Sequence, residues 1–468
     1  MLLPMSPTDS LFLLGESREH PLHVGGLALF APPDDGRAAD VRAMLEAASR
    51  SDQVAPLLRK RAARSVTSLG QWGWDTDTEI DLGHHIRRDA LPQPGGMTEL
   101  MSLVSRLHGS LLDRSRPLWE MHLIEGLADG RFAVYMKIHH ALADGASAMK
   151  FLRRALSEDP QERDMPAPWQ PTPTRTPPSS SVASVASAAR NPLELPGAAL
   201  SAARGALGEV AGLVPAAVGT VDRALRARGG PLSLTAPHTV LNVPIGGARH
   251  FAGRTWPLER LRMIAKHADA TINDVVLALS SGALRTFLDG LNALPTDPLI
   301  AMVPVSLRGG GREGEDGNRL GVLMCNMGTH LADAGHRLEA VRTSMNEGKA
   351  PLRGMSPAQV LAMSALGAAP LAAEMLAGRR GPWRPAFNVV ISNVAGPLTP
   401  RYWNGARLDG LYPLSIPTDG QALNITCTST DDQIVFGLTG CRRTLPQLTP
   451  ILDHLDTELD ALERVVGL

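Results

Sequence analysis

The stretch that decides the fold runs from residue 131 to residue 145 and reads Arg-Phe-Ala-Val-Tyr-Met-Lys-Ile-His-His-Ala-Leu-Ala-Asp-Gly. Its even positions up to 138 carry Phe, Val, Met and Ile, while its odd positions carry Ala, Tyr and Lys. This period of two predicts a strand with one strongly apolar face. Asp144 and Gly145 end the strand, and residues 146–157 have helical spacing. A buried strand therefore delivers His139 and His140 to a turn, where folds commonly present reactive groups.

The bulk composition is that of an ordinary globular protein. The chain has 468 residues, 44% of them hydrophobic and 20% charged, with a formal net charge of −1. The length predicts roughly two to three domains. Lys and Arg are scattered without a basic run, so we expect no nucleic-acid partner.

Cysteine content and hydropathy indicate the compartment. The three cysteines are an odd number without Cys-x-x-Cys spacing, so neither a disulfide framework nor a thiolate zinc site is predicted. The N-terminus has no basic region followed by an apolar one, and we predict no secretory signal. The apolar stretch 205–221 is interrupted by Glu209 and contains Pro215, which argues against a spanning helix. We expect a cytoplasmic protein, with peripheral attachment to the inner membrane face or to lipid bodies left open.

Composition along the chain predicts three parts. Residues 1–157 form an N-terminal domain, residues 158–235 a linker with an apolar helical segment, and residues 236–468 a C-terminal domain. Seven prolines between 160 and 178 and a Ser-, Ala- and Val-rich run after them have linker composition. The weakly polar helices expected within 198–227 either pack across the two domains or form a lid or membrane-apposed helix.

Apolar spacing predicts the principal elements. Ser6 or Thr8 is expected to cap a first helix, and Thr271 with Asp274 is spaced like a capping box. The expected helices are 9–14, 40–48, 99–112, 258–268, 275–288, 336–347, 357–376 and 448–465. The expected strands are 22–30, 121–124, 299–305, 320–331, 388–393, 423–430 and 433–439.

The histidine pair can ligate a metal or transfer a proton. Adjacent strand residues point to opposite faces, so His139 and His140 cannot readily bind one metal, and no third ligand is evident beside them. Histidine, with a pKa near ~6.5, can accept a proton from an alcohol, as acyl transfer to a hydroxyl requires. Ser147 lacks the Gly-x-Ser-x-Gly context of a serine nucleophile. The second pair, His84 and His85, has no strand before it and no Asp-Gly after it, and we interpret it as surface or packing.

Residues 139–145 resemble the His-His-x-x-x-Asp-Gly motif of the CoA-dependent acyltransferase superfamily. Several further stretches resemble one branch of it, the bacterial wax ester synthase/diacylglycerol acyltransferase family. In chain order they are Met5-Ser6-Pro7-Thr8-Asp9, His23-Val24-Gly25-Gly26, Pro117-Leu118-Trp119-Glu120, Asn273-Asp274-Val275-Val276, Pro304-Val305-Ser306-Leu307-Arg308 and Ser392-Asn393-Val394-Ala395-Gly396-Pro397. Ala395 and Ala143 replace residues frequent in the family, Pro and Val, but neither change removes a catalytic group.

The resemblance implies an α/β fold, an α+β sandwich of two chloramphenicol-acetyltransferase-like domains with the active site in a channel between them. It implies direct transfer in a ternary complex, with acyl-CoA as a substrate and no cofactor or metal. His140 would take the proton of a diacylglycerol hydroxyl or a long-chain alcohol, and we expect triacylglycerol rather than wax ester as the main product. The alternatives are acyl transfer to another alcohol, of polyketide or glycolipid type, transfer from a carrier-protein thioester, and a lipid-binding relative without turnover.

Roles for the other site residues also follow from the resemblance. His139 would support the turn, and Gly145 would allow close approach of the substrate or an unusual backbone conformation. Asp144 would be structural and form an ion pair with Arg308, although it could instead orient the imidazole of His140. The oxyanion needs hydrogen-bond donors, for which the candidates are Asn273, Ser392 and Asn393. Asn273 could instead cap a helix, and Pro117, Leu118 and Trp119 would either line the acyl channel or pack at a strand start.

Overall fold

The computed structural model describes residues 2–33, 53–64, 72–171, 236–306, 320–352 and 385–468. The helices in these ranges are α1 Pro7–Gly15, α2 Leu82–His85, α3 Met97–His108, α4 Gly145–Ala155, α5 Leu258–His267, α6 Ile272–Gly290, α7 Ala334–Leu352 and α8 Thr449–Val466. The strands are β1 Leu3–Pro4, β2 His23–Ala31, β3 Lys60–Arg64, β4 Trp72–Thr76, β5 Ile86–Ala90, β6 Trp119–Glu125, β7 Phe132–His139, β8 Arg249–Pro257, β9 Ile300–Ser306, β10 Leu320–Asn326, β11 Val389–Ala395, β12 Tyr402–Trp403, β13 Ala406–Leu414, β14 Leu423–Ser429 and β15 Gln433–Cys441.

The first large sheet is built around the strand that the histidine motif ends. Its order is β12-β13-β2-β7-β6-β5, and β7 lies antiparallel between β2 and β6. Helix α3 packs on one face through Leu100, Leu103 and Val104, all buried. A larger apolar cluster that includes Trp119 and Ile138 covers the other face. The strand is therefore buried on both faces, as expected for a central strand.

The second large sheet has the order β10-β9-β11-β14-β15-β8. Strand β11 is parallel to both β9 and β14, and the remaining pairs are antiparallel. Helices α5, α6, α7 and α8 share one apolar cluster with this sheet. Thr271 caps α6 by accepting the Asp274 N–H at 3.2 Å, while Asp274 accepts the Thr271 N–H at 2.9 Å. The predicted capping box is thus present. A smaller sheet has the order β1-β4-β3.

The strands do not divide along the chain at residue 236. Strands β12 and β13 come from the predicted C-terminal domain, yet β13 pairs with β2 in the first sheet. The range 236–468 is therefore not one self-contained sheet unit, because its segment 402–414 completes the sheet of the other. Local hydrophobic patterning does not specify a strand's partner. The boundaries 1–157, 158–235 and 236–468 otherwise remain a prediction.

Several element ends differ from the sequence-based expectation. The strand expected over 320–331 ends at Asn326, whose side chain accepts the Gly328 N–H at 2.9 Å in a turn where Gly328 has a φ of +61°. The helix expected over 99–112 is Met97–His108, with Gly109 as its C-cap. The helix predicted to start at Ser6 or Thr8 is capped by Ser6. The helices expected over 40–48, 198–227 and 357–376 lie outside the described residues.

Candidate active site

Two neighbouring chain segments hold the backbone of the histidine motif at the end of β7. The His139 N–H donates to the Leu118 carbonyl at 3.0 Å, and the His140 N–H donates to the Leu22 carbonyl at 2.9 Å. After the strand, the N–H groups of Leu142 and Ala143 both donate to the His139 carbonyl, at 2.8 and 3.2 Å. These bonds form the turn that leads into α4 and fix where the His140 side chain starts.

His140 is a half-buried residue whose imidazole lies beside an aromatic ring. Its ring stacks on Phe12 of α1 with a centroid distance of 4.1 Å and an interplanar angle of 24°. Burial lowers the pKa of His140 below its usual value, against the charge of Asp144, which raises it. The imidazole is therefore neutral at neutral pH, which is the form that can accept a proton.

His139 is bonded inside the turn. Its side chain is fully buried, and its Nδ1 accepts the Ala141 N–H at 3.1 Å. Because a neutral imidazole carries one proton, that proton is on Nε2, which lies 3.4 Å from Oε1 of Glu16. The two histidines consequently have different surroundings, because His140 is half-buried whereas His139 is fully buried and bonded within the turn.

Asp144 is the N-cap of α4. Its Oδ1 accepts the Ser147 N–H at 2.7 Å. Within the described ranges, its carboxylate forms no hydrogen bond with the imidazole of His140. Asp144 therefore does not orient that imidazole by direct contact in this structure. Arg308 lies outside the described residues, and the ion pair of Asp144 with Arg308 stays a prediction.

The end of β11 approaches the motif from the second sheet. A Cβ placed on Gly145 would lie 3.9 Å from Cγ2 of Val394, an ordinary van der Waals distance. Ser392 and Asn393, both partly exposed, precede Val394 on this strand. Gly145 does not have a positive φ, so its expected need for an unusual backbone conformation is wrong, and close approach of a substrate remains its predicted role.

Asn273 lies in the first turn of α6 and is partly exposed. The backbone groups at this helix start are bonded by Thr271 and Asp274, so the capping alternative for Asn273 is not needed to satisfy them. Its role as an oxyanion donor stays a prediction.

The residues Pro117, Leu118 and Trp119 are buried at the start of β6. The Trp119 indole Nε1 donates to the Leu58 carbonyl at 2.8 Å, and its ring stacks on His85 with centroids 4.5 Å apart. Nδ1 of His85 in turn donates to the Trp119 carbonyl at 2.8 Å. These are packing contacts, and a place in the acyl channel remains a prediction. His85 is 1% exposed, which confirms the packing interpretation for this member of the second pair, while His84 is partly exposed.

Two residues beside the motif were missed by sequence reasoning, Glu16 and Arg114. Glu16 is the C-cap residue of α1, and its carboxylate is enclosed between His139 and the Arg114 guanidinium. In the sequence it is followed by Ser17, Arg18 and Glu19, which read as an exposed loop. The only signal was the end of the predicted first helix, which indicates nothing about a contact 98 residues away.

Over the described part of the chain, no group of three or more His, Cys, Asp or Glu side chains is arranged to hold a metal ion. No helix in the same part combines the length and the apolar character needed to cross a bilayer.

Comparison with known proteins identifies the family. Residues 5–276 match the wax ester synthase/diacylglycerol acyltransferase catalytic domain, and residues 316–463 match the C-terminal domain of the same family. A protein of Mycobacterium tuberculosis named as a diacylglycerol O-acyltransferase is 53% identical over 476 residues, covering 99% of this chain and 92% of that protein. Another of that name is 45% identical over 466 residues, covering 99% of each chain.

Solved structures agree with this comparison. The wax ester synthase/diacylglycerol acyltransferase from Marinobacter aquaeolei VT8 is 39% identical, with a TM-score of 0.78 and full coverage of both chains. The first condensation domain of the calcium-dependent antibiotic synthetase is 14% identical, with a TM-score of 0.59 over 100% of this chain and 97% of that one, and shows the shared fold alone. By its two matched domains and its identity to these relatives, the chain belongs to the wax ester synthase/diacylglycerol acyltransferase family.

Proposed function

We propose that His140 is the general base with which this acyl-CoA-dependent O-acyltransferase esterifies a diacylglycerol or a long-chain alcohol. The observation that carries the proposal is the contrast between the two histidines. His139 is buried and bonded within the turn, whereas His140 is partly exposed, is neutral at neutral pH and stands where the end of β11 meets the motif.

The reaction then needs one proton acceptor and no covalent enzyme intermediate. The imidazole of His140 accepts the proton of the acceptor hydroxyl while the hydroxyl oxygen attacks the thioester carbonyl carbon. The resulting tetrahedral oxyanion collapses, the C–S bond breaks, and the imidazolium returns its proton to the sulfur of CoA. The products are the ester and free CoA, and His140 is neutral again.

The oxyanion requires donors on the other side of the reacting carbonyl. Ser392 and Asn393 support this role by their position on β11, next to Val394, which lies opposite Gly145. Asn273 supports it by a partly exposed side chain at the start of α6. We retain all three as candidates.

Attachment to a lipid surface fits an acceptor that resides in lipid. Helix α1 exposes Leu11 and Leu14, 41% and 52% accessible, three residues apart on one side of the helix. Phe12 of the same helix contacts His140, so a lipid surface bound by these leucines would be close to the site.

Flotation with phosphatidylcholine vesicles containing diacylglycerol tests this attachment. We expect L11S/L14S to bind the vesicles roughly tenfold less than the wild type. L291S removes an equally exposed leucine elsewhere, and equal loss in this control would contradict the assignment.

A competition assay tests the catalytic proposal. Purified protein is given labelled palmitoyl-CoA with diacylglycerol and hexadecanol together, and labelled neutral esters are separated and counted. We expect both esters to be detectable, with triacylglycerol dominant. H140A should abolish ester formation and still bind acyl-CoA, while H84A, in the other histidine pair, should be active. Ester formation by H140A at the wild-type rate would refute the assignment, and no labelled ester from the wild type would refute the proposed reaction.

A further inference from the structure

Glu16 has a carboxylate that is almost completely withdrawn from solvent beside the motif. Its side chain is 1% exposed. Oε1 accepts the Leu22 N–H at 3.2 Å, and Oε2 accepts the Arg114 Nε–H at 2.9 Å. The His139 Nε2 lies 3.4 Å from Oε1. A carboxylate buried to this degree is costly unless its partners are all in place, so its position is closely determined.

The partners of Glu16 are the groups that hold the two histidines. Leu22 donates its N–H to Glu16 and accepts the His140 N–H through its carbonyl at 2.9 Å. His139 bonds the turn through Nδ1 and faces Glu16 through Nε2. Glu16 also ends α1, the helix that places Phe12 on the His140 ring. One carboxylate therefore joins the strand, the turn and the helix that surround the catalytic imidazole.

We propose that Glu16 is a positioning residue for catalysis, which fixes the His139 ring and the helix carrying Phe12 and thereby sets the orientation of the His140 imidazole. This inference rests on the proposed role of His140 as general base. Arg114 fixes Glu16 in turn. Its side chain, 38% exposed, binds the Glu16 carboxylate from the solvent side and also donates to the Glu16 carbonyl at 3.3 Å.

The charge of Glu16 is part of the arrangement. Burial opposes the ionised carboxylate, but the facing His139 imidazole, the Leu22 N–H and Arg114 together outweigh it and lower the pKa of Glu16. The ionised carboxylate is an acceptor only, so it requires a proton on the facing Nε2 of His139. A glutamine in its place retains the shape but loses the charge and about half of this acceptor capacity.

The test is steady-state kinetics on the full chain with palmitoyl-CoA and diacylglycerol. We expect E16Q to lower kcat about 10- to 100-fold, the effect of losing a hydrogen bond to a charged group, with each KM within about twofold of the wild type. E16D, which keeps the charge, should recover part of kcat. R114M should also lower kcat, and in the E16Q background it should cost little more, because two residues in one network are not additive. A merely structural defect would not give this kcat-only effect with rescue by aspartate.

R116A is the matched control, because Arg116 lies in the same loop but pairs with the exposed Asp81. We expect its kcat to equal that of the wild type. Thermal unfolding checks that each variant is folded, and if E16Q does not fold, R114M gives the same readout with the Glu16–Leu22 bond intact. An unchanged kcat in folded E16Q or in R114M overturns the inference. Its failure is distinct from failure of the proposed function, which would show as an active H140A.

Discussion

Substitutions of Asp144 distinguish a structural role of this aspartate from a catalytic one. Its carboxylate caps α4 by accepting the Ser147 N–H at 2.7 Å, and its charge raises the pKa of His140 against the larger effect of burial. Asparagine can still accept the Ser147 N–H but carries no charge, whereas alanine loses both functions. The pair D144N and D144A therefore measures the cap and the charge independently.

The magnitudes follow from these contacts. Loss of an N-cap side chain costs about 0.5–2 kcal/mol, so D144A should lower the free energy of unfolding by about 1 kcal/mol while D144N should stay within a few tenths. Both variants lose the charge that raises the pKa of His140, so in both this pKa should fall further. Because the neutral imidazole is the active form, the acid limb of the kcat profile should move to lower pH by the same amount in both.

The assays are urea unfolding for stability and ester formation between pH 5 and pH 8 for catalysis. Without a hydrogen bond to the imidazole, loss of Asp144 should lower kcat less than about tenfold. An aspartate that orients a catalytic histidine directly would instead cost about 10⁴-fold on replacement by asparagine. A kcat loss of that size in D144N would refute the purely structural role of Asp144, and equal stability of D144A and the wild type would refute its contribution as a cap.

The packing of α6, α7 and α8 gives two further predictions. R337M leaves the buried carboxylate of Glu458 without the guanidinium that binds it through both oxygens. This variant should lower the free energy of unfolding by about 3–5 kcal/mol. The control R342M, on the same helix but in a partly exposed pair with Glu339, should lower it by less than about 1 kcal/mol. G282A should also lower the free energy of unfolding in the same urea assay, because a Cβ at this position would overlap Cδ of Glu458. Wild-type stability of G282A would show that Glu458 can move without losing Arg337.

Sequence patterning predicted those parts of the fold that depend on local periodicity. Strand β7 and the capped start of α6 were both expected from residues that lie within a few positions of each other. The insertion of β13 beside β2 was not, because the residues that pair are more than 300 positions apart and a strand's own pattern does not name its neighbour. The strand end at Asn326 was also missed, although its cause is local: the Asn326 side chain accepts the Gly328 N–H in the turn that follows.

The candidate site shows the same difference between what local sequence predicts and what depends on distant contacts. The His-His-x-x-x-Asp-Gly motif could be identified from its letters, but the separate roles of its two histidines depend on contacts with distant segments. His139 is buried because Glu16 and the Leu118 carbonyl come to it from elsewhere in the chain. Glu16 could not be recognised as a buried residue, since charged side chains after a helix are usually solvated. Only the fold shows that Arg114 covers it.

The polar face of β7 explains how a strand with this sequence can be buried on both sides. Lys137 is 1% exposed, yet its Nζ donates to the carbonyls of Leu107 and Ser110 at 3.1 and 2.8 Å and lies 3.2 Å from Glu120, its cross-strand partner. Tyr135 donates its hydroxyl to Nδ1 of His108 at 2.8 Å. These bonds fix the position of the strand along its own axis relative to the carboxyl end of α3, because a buried polar group left without its partners is costly. The strand therefore cannot slide by a residue without breaking them, and a one-residue slip would exchange the faces of His139 and His140. The polar face of β7 thus stabilises the register on which the choice of catalytic histidine depends.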